Sequence, residues 1–238
     1  MTGDSRVIGI IGGMGPAATV EFMSRVVRRT DAEDDDGHFR MLVDNNPKVP
    51  SRIAAIIEGT GADPLPELQR MAAGLERAGA DFLVMPCNTA HHYHRAIADA
   101  VGIPFISIVD VAAEHLARHY PGARRIGFLA SPAVRETGVY DTAFDRHGLA
   151  IVYPDAEANA QLLGIIREIK AGQVGDRQAV GFRRVAGALA GAADAILVAC
   201  TELSLLPLSA VGDMPVLDTL DLLVDATIEA AREGSCVR

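Results

Sequence analysis

The chain has 238 residues, 49% of them hydrophobic, a formal net charge of −9 and three cysteines. That apolar fraction fills one large or two small packed domains, and the acidic balance argues against a broad nucleic-acid surface. An odd cysteine count without a Cys-x-x-Cys pair disfavours a disulfide framework or a structural zinc site, residues 1–6 are too short and polar for a signal peptide, and no apolar run approaches the ~18 residues of a membrane span; a cytoplasmic protein is expected.

Short apolar runs alternate with helical patterns along the chain. Residues 7–11 read as a strand ending in a glycine turn, 19–29 as a helix and 39–44 as a second strand stopped by Asn45-Asn46-Pro47. The acidic run at 33–36 reads as a solvated loop. Residues 65–78 read as a helix closed by Gly79, with strands at 82–85 and 105–108. The pattern then restarts: strand 125–130, helix 140–146, strand 150–153, helices 162–170 and 181–189, strand 195–199, a strand beginning at 216, and a closing helix at 221–232. Strands alternating with helices predict an α/β protein with parallel sheets and right-handed crossovers.

The restart is an internal repeat. Ala80-Asp81 followed by an apolar run ends at Cys87, and Ala193-Asp194 followed by a similar run ends at Cys200, 113 positions later. Gly9 matches Gly127 at an offset of 118, Pro104 matches Pro215 at 111, and Asp110 then matches Asp221. Anchors in one order at nearly constant offset imply a duplication. The expected division is residues 1–110 plus 216–238 in one subdomain and 111–215 in the other, the last helix packing back on the first half.

In an open α/β sheet, ligands bind beyond the carboxyl ends of the strands, which is where Cys87 and Cys200 fall. A helix N-terminus there would favour a thiolate and draw a thiol pKa down from about 8.5. A thiolate on one side of a carbon and a thiol on the other form a base and an acid for one-step inversion, with roles exchanged in the reverse direction. The alternative is that both are inert buried cysteines; Cys236, in a charged tail, is read that way. Arg52 follows a rigid Asn-Pro-Lys-Val-Pro-Ser loop and could hold a carboxylate bidentately, whereas Lys48 reads as a surface residue. Lys170 alone reads as a cation at a helix C-terminus. Backbone N–H groups in the Gly12–Gly15 turn and at Asn88-Thr89 and Thr201-Glu202 could receive a carboxylate. Asn45 and Ser131 stand at strand ends within reach of a ligand, and Met14 could pack over it. Glu202 could orient or help to protonate Cys200, or cap a helix. His91 is read as support behind the site, and His92 more weakly so.

These motifs resemble a known family. Pro86-Cys87-Asn88-Thr89-Ala90-His91 and Cys200-Thr201-Glu202 are similar to the two signatures of the aspartate/glutamate racemase superfamily. Gly12-Gly13-Met14-Gly15-Pro16 and the segment from Asp44-Asn45-Asn46-Pro47 through Arg52 resemble its aspartate racemase branch; glutamate racemases carry Asp-Ser-Gly and Cys-Thr-His at the corresponding places. The resemblance spans essentially the whole chain. It implies two Rossmann-like parallel-sheet subdomains related by a pseudo-twofold axis, an active site in the cleft between them, amino-acid racemisation without pyridoxal or metal, an amino-acid substrate, and a homodimer. It also implies that Cys87 and Cys200 are the catalytic pair, that Lys170 takes a substrate carboxylate, and that Cys87 serves the D-form and Cys200 the L-form. One departure stands out. The family's Thr-x-Gly-Thr-like loop after the strand at 126–130 reads here Ser131-Pro132-Ala133-Val134-Arg135, which removes a hydroxyl and leaves open aspartate, glutamate, cysteate or a wider range.

Three other readings compete. Gly13-Met14-Gly15-Pro16-Ala17-Ala18 fits a loose dinucleotide fingerprint, with Asp44 as the ribose acid, but it explains neither cysteine. A cysteine decarboxylase or maleate-type isomerase would use the same thiols for a different outcome. A thiol-based sensor or amino-acid-binding regulator would keep the scaffold without turnover.

Overall fold

The computed structural model describes residues 5–207 and 210–233; Cys236 lies outside them. In the first half, β1 (Ile8–Gly12) runs parallel to both β2 (Met41–Asn45) and β3 (Phe82–Val84), giving the order β2-β1-β3. Around this sheet lie α1 (Pro16–Arg29), the short α2 (Arg52–Ile56), α3 (Leu65–Arg77), α4 (His94–Ala98) and α5 (Ile108–His119). In the second half come β4 (Arg125–Ala130), α6 (Pro132–Thr137), α7 (Asp141–Arg146), β5 (Ala150–Val152), α8 (Ala156–Lys170), α9 (Asp176–Gly187), β6 (Ala195–Ala199), β7 (Ala210–Val211), β8 (Met214–Asp218) and α10 (Thr219–Glu233). Its sheet has the order β5-β4-β6-β8-β7, parallel except for the edge strand β7. The expected α/β class with parallel sheets is what the chain forms. No helix among the described residues is long and apolar enough to cross a membrane.

Several boundaries differ from the sequence expectation, each for a local reason. Helix α1 begins at Pro16, a residue whose missing N–H costs nothing in a first turn. Helix α8 starts six residues before the expected position because Asp155 accepts a hydrogen bond from the Ala158 N–H and caps it. The strand expected at 105–108 shrinks to one bridge between Phe105 and Leu83, since Ser107 caps a helix by accepting from the Asp110 N–H. That helix, α5, carries apolar Ile108, Val109, Ala112, Ala113 and Leu116 on its buried face. Val216 and Leu217, grouped with the first half in the sequence reading, hydrogen-bond to β6 in the second sheet.

The halves repeat one topology. Cys87 and Cys200 follow the equivalent strands β3 and β6, and Phe105 and β8 stand beside those strands. The closing helices α5 and α10 pack on each other. Helix α10 also packs on α1 of the first half, and α5 packs on α7 of the second. One core is therefore shared, running from Ile8, Phe22 and Phe82 through Ile108 and Leu116 to Phe128, Leu197 and Leu223. The outer face of the first sheet is covered by Leu68, Met71 and Leu75 of α3. That of the second is covered by Leu162, Ile166, Phe182 and Val185 of α8 and α9.

Polar links reinforce the exchange. Asp110 on α5 pairs with Arg146 of the second half at 2.6 Å, and its repeat partner Asp221 on α10 pairs with Arg25 of the first at 2.9 Å. Arg25 also binds Asp218 at 2.7 Å and Glu21 at 2.8 Å, with only 12% of its side chain exposed. Burial pushes the Asp218 carboxyl above its ordinary value, and Arg25 and Ser204 draw it back. Replacing Arg25 with Met leaves Asp218 charged and unpaired, so urea unfolding at pH 7 should show a loss of about 3 kcal/mol. A carboxyl with a raised folded pKa is stabilised by its proton, so the loss should shrink as pH falls through that pKa; a variant as stable as the native protein at pH 7 would show that this pair does not hold the halves.

Candidate active site

Cys87 and Cys200 line one cavity. Each is 6% exposed, and each stands just past the carboxyl end of its strand. Met14, Arg52, Asn88, Thr89, Ser131, Lys170, Thr201 and Glu202 share the wall, together with Ser51, Ile53 and Ile166. Asn45 is the exception: it is exposed at the end of edge strand β2, paired in register with Gly12, and does not reach the cavity. The three residues missed by sequence reasoning had local signals. Ser51 caps α2 by accepting from the Ala54 N–H, Ile53 follows on that helix, and Ile166 lies one turn before Lys170 on α8.

The first glycine turn brings Met14 to the wall. Gly13 has φ +92°, and a Cβ there would meet the Asn46 backbone at 2.2 Å. The close approach that requires glycine is thus to the protein's own chain, not to a pyrophosphate. Arg52 is held by carbonyls, donating to Val49 O at 3.2 Å, Pro50 O at 2.9 Å and Met14 O at 3.4 Å. These bonds leave guanidinium N–H groups free toward the cavity. At the opposite wall, Lys170 ends α8 and pairs with Glu202 at 2.7 Å. Burial opposes the lysine charge, but the paired Glu202 carboxylate overcomes it and raises its pKa.

The cysteine loops are bound across the halves. The Thr201 hydroxyl donates to Pro86 O at 3.0 Å, and Thr89 and Ser131 hydroxyls meet at 2.9 Å. The Asn88 amide donates to the Thr219 hydroxyl at 3.0 Å, which donates onward to Val198 O at 2.9 Å, while the buried Tyr140 hydroxyl donates to the Asn88 carbonyl oxygen. Asn88 is 2% exposed, and both ends of its side-chain amide take part in this network.

The electrostatics are unequal. Burial raises the Cys87 thiol pKa, which Arg52, Lys170 and the Ala90 N–H lower and Glu202 raises further. The Cys200 thiol is raised well above its ordinary value by burial, and its donation to Glu202 at 3.2 Å adds to the effect. The strand-end position was expected to favour thiolates; desolvation outweighs the few N–H groups there, because a buried anion loses its water. Both thiols are therefore protonated in the free protein at neutral pH, Cys200 more firmly. His91 and His92 stay off the cavity wall; His92 is exposed and His91 buried. Val134 is buried, and Arg135 lies over the Tyr153 ring at 5.1 Å, away from the cavity. Among the described residues, no group of three or more His, Cys, Asp or Glu side chains is arranged to hold a metal ion.

Comparison with known proteins places this site in a family. The Asp/Glu/hydantoin racemase family matches residues 11–227. An aspartate racemase from Picrophilus torridus superposes with a TM-score of 0.81 at 28% identity, over 96% of this chain and 97% of that one. The broad-specificity amino-acid racemase RacX of Bacillus subtilis is 25% identical over 93% of this chain and 96% of its own length. A glutamate racemase from Bacillus anthracis shares the two-domain fold at 14% identity, with a TM-score of 0.65 over 97% of this chain and 83% of that one. With the match covering nearly its whole length, the chain belongs to the Asp/Glu/hydantoin racemase family and is an isomerase of the amino-acid racemase class.

Proposed function

We propose that this enzyme interconverts L- and D-aspartate by a two-base transfer of the α-proton between Cys87 and Cys200, without a cofactor. The observation that carries the reading is the pair of cysteines at repeat-equivalent strand ends, lining one cavity together with Arg52 and Lys170. In this scheme one thiolate removes the α-proton while the opposite thiol delivers a proton to the other face of the carbon. Because burial keeps both thiols protonated, the thiolate must form as substrate fills the cavity. Arg52 and Lys170 take the carboxylates, and backbone N–H groups near Cys87 and Cys200 receive the charge that grows on the α-carboxylate. Glu202 holds the Cys200 proton in place and balances Lys170. The similarity to the Picrophilus aspartate racemase supports aspartate as substrate.

A broader range of side chains is the second reading, and one observation favours it. Ser51, Arg52, Lys170 and Glu202 of the cavity wall also line an adjoining groove. The groove's remaining lining is uncharged, including Pro16, Ala17, Pro47, Val49, Ile169 and Leu205. Side chains longer than that of aspartate would have room there, in keeping with the similarity to RacX.

Proton NMR of L- and D-aspartate in D₂O, with glutamate and a mixed amino-acid pool alongside, tests the reading. Loss of the α-proton signal with appearance of the antipode is expected, unaffected by hydroxylamine or chelators; no exchange in any amino acid would move the decarboxylase, isomerase and sensor readings ahead. Cys87→Ser and Cys200→Ser should each lower racemisation by roughly 100- to 10,000-fold. Each should still wash out the α-proton of one enantiomer, a different one for each variant; full activity in either would end the two-base scheme. Arg52→Ala should raise KM about 10- to 100-fold, the worth of charged hydrogen bonds of ~1.5–3 kcal/mol. Iodoacetamide alkylation followed against pH should modify Cys87 at lower pH than Cys200, and Glu202→Gln should shift the Cys200 profile downward by removing the neighbouring negative charge.

A further inference from the structure

His91 touches no cavity, yet both of its ring nitrogens are engaged in a buried site directly behind Cys87. The Ile108 N–H, the first of helix α5, donates to Nε2 at 3.1 Å. A backbone N–H can only donate, so Nε2 is the acceptor and the proton resides on Nδ1. Nδ1–H then donates to the Cys87 carbonyl at 2.9 Å. The ring is 5% exposed and stacks on His94 with centroids 5.5 Å apart. Burial holds its pKa down to about 3, which keeps the neutral form that this donor–acceptor pair requires.

The arrangement fixes the Cys87 backbone from both sides. The Cys87 N–H already donates to Met85 O at 2.7 Å, and His91 secures the carbonyl. The turn Thr89–Tyr93, which contains His91, also presents the Ala90 N–H toward the Cys87 sulfur, where it favours the thiolate. The repeat contains a counterpart. Four residues after Cys200, Ser204 donates to Asp218 at 2.7 Å, and Asp218 accepts from the Leu220 N–H in the first turn of α10 at 2.9 Å. In each half the fourth residue after the cysteine is thereby tied to the N-terminus of the closing helix. Only in the first half does that residue also grip the cysteine's own carbonyl.

We infer that His91 is a positioning residue: through its Nδ1–H bond to the Cys87 carbonyl it sets the direction of the Cys87 sulfur, and through Nε2 it references that sulfur to helix α5. This inference rests on the two-base reading and concerns the Cys87 half of it. A sulfur displaced by about 1 Å loses proton transfer on the order of 100-fold, so the clamp should act on kcat, with KM held by Arg52 and Lys170.

Two isosteric variants separate positioning from mere packing. The Asn Nδ2 stands near the His Nδ1 position and preserves the donor to Cys87; the Gln head group reaches the Nε2 position and preserves the acceptor for Ile108. The experiment measures, for native enzyme, His91→Asn and His91→Gln, the kcat and KM for aspartate racemisation, α-proton wash-out from each enantiomer in D₂O, and the alkylation rates of Cys87 and Cys200. His91→Asn is expected to keep kcat within about threefold of native and His91→Gln to lose about 100-fold with KM little changed. His91→Gln should also wash out, without inversion, the same enantiomer as Cys87→Ser, and change the alkylation of Cys87 but not of Cys200. Equal losses in the two variants, or equal effects on both enantiomers, would reduce His91 to a packing residue while leaving the racemase reading intact. Native enzyme that exchanges no amino-acid α-proton would overturn the racemase reading itself, and with it the clamp's catalytic purpose.

Discussion

Each cysteine loop is hydrogen-bonded to the half of the chain that did not produce it, and the geometry of the cavity depends on that exchange. Thr201 reaches the Pro86 carbonyl, Asn88 reaches Thr219 and Tyr140, and Thr89 reaches Ser131. All but the partly buried Thr89–Ser131 bond are buried, where an unmade one costs about 1–3 kcal/mol. They hold two separate strand ends to one spacing, which the proposed two-base reaction would require. The closing helices α5 and α10 provide the same constraint at larger scale, packing on each other and each also on a helix of the other half.

Within that frame the cavity sets burial against charge. Two thiols out of water resist ionisation, and Arg52 and Lys170 partly compensate. Glu202 breaks the symmetry, since it accepts a hydrogen bond from Cys200 and, among the described residues, no carboxylate is hydrogen-bonded to Cys87. A near-symmetric pair thus begins with unequal members, Cys87 the more easily ionised. The placement of Lys170 follows from the same residue: at the end of α8 it would be an ordinary helix-terminal cation, and its pairing with Glu202 turns it toward the cavity.

Much of this was legible in the chain. The offset between Cys87 and Cys200 revealed the duplication, strands β4 and β6 were bounded correctly, and most of the cavity wall could be named from strand ends and motifs. Asn45 was misplaced because a strand end shows only that a residue is near the ligand-binding edge, while β2 is the outermost strand of its sheet and carries Asn45 away from the cavity. Asn88 was named for its backbone N–H and does line the cavity; what the chain did not reveal is that its side chain bonds Tyr140 and Thr219, which lie 52 and 131 positions further on, a distance no local pattern spans. Helix α5 was hidden because Phe105-Ile106-Ser107-Ile108 reads as a β-run until the Ser107 cap is recognised.

By itself the sequence determined the α/β class and the repeat that puts a cysteine after a strand in each half, because these rest on local periodicity and on spacing along the chain. Only the tertiary structure decided which way the closing helices cross, which polar side chains face the ligand and which hold the halves together, and that both thiols are protonated at rest. Those properties arise from burial and from partners brought together across the whole chain, and desolvation, which outweighs the local N–H groups at Cys87 and Cys200, exists only once the core has closed.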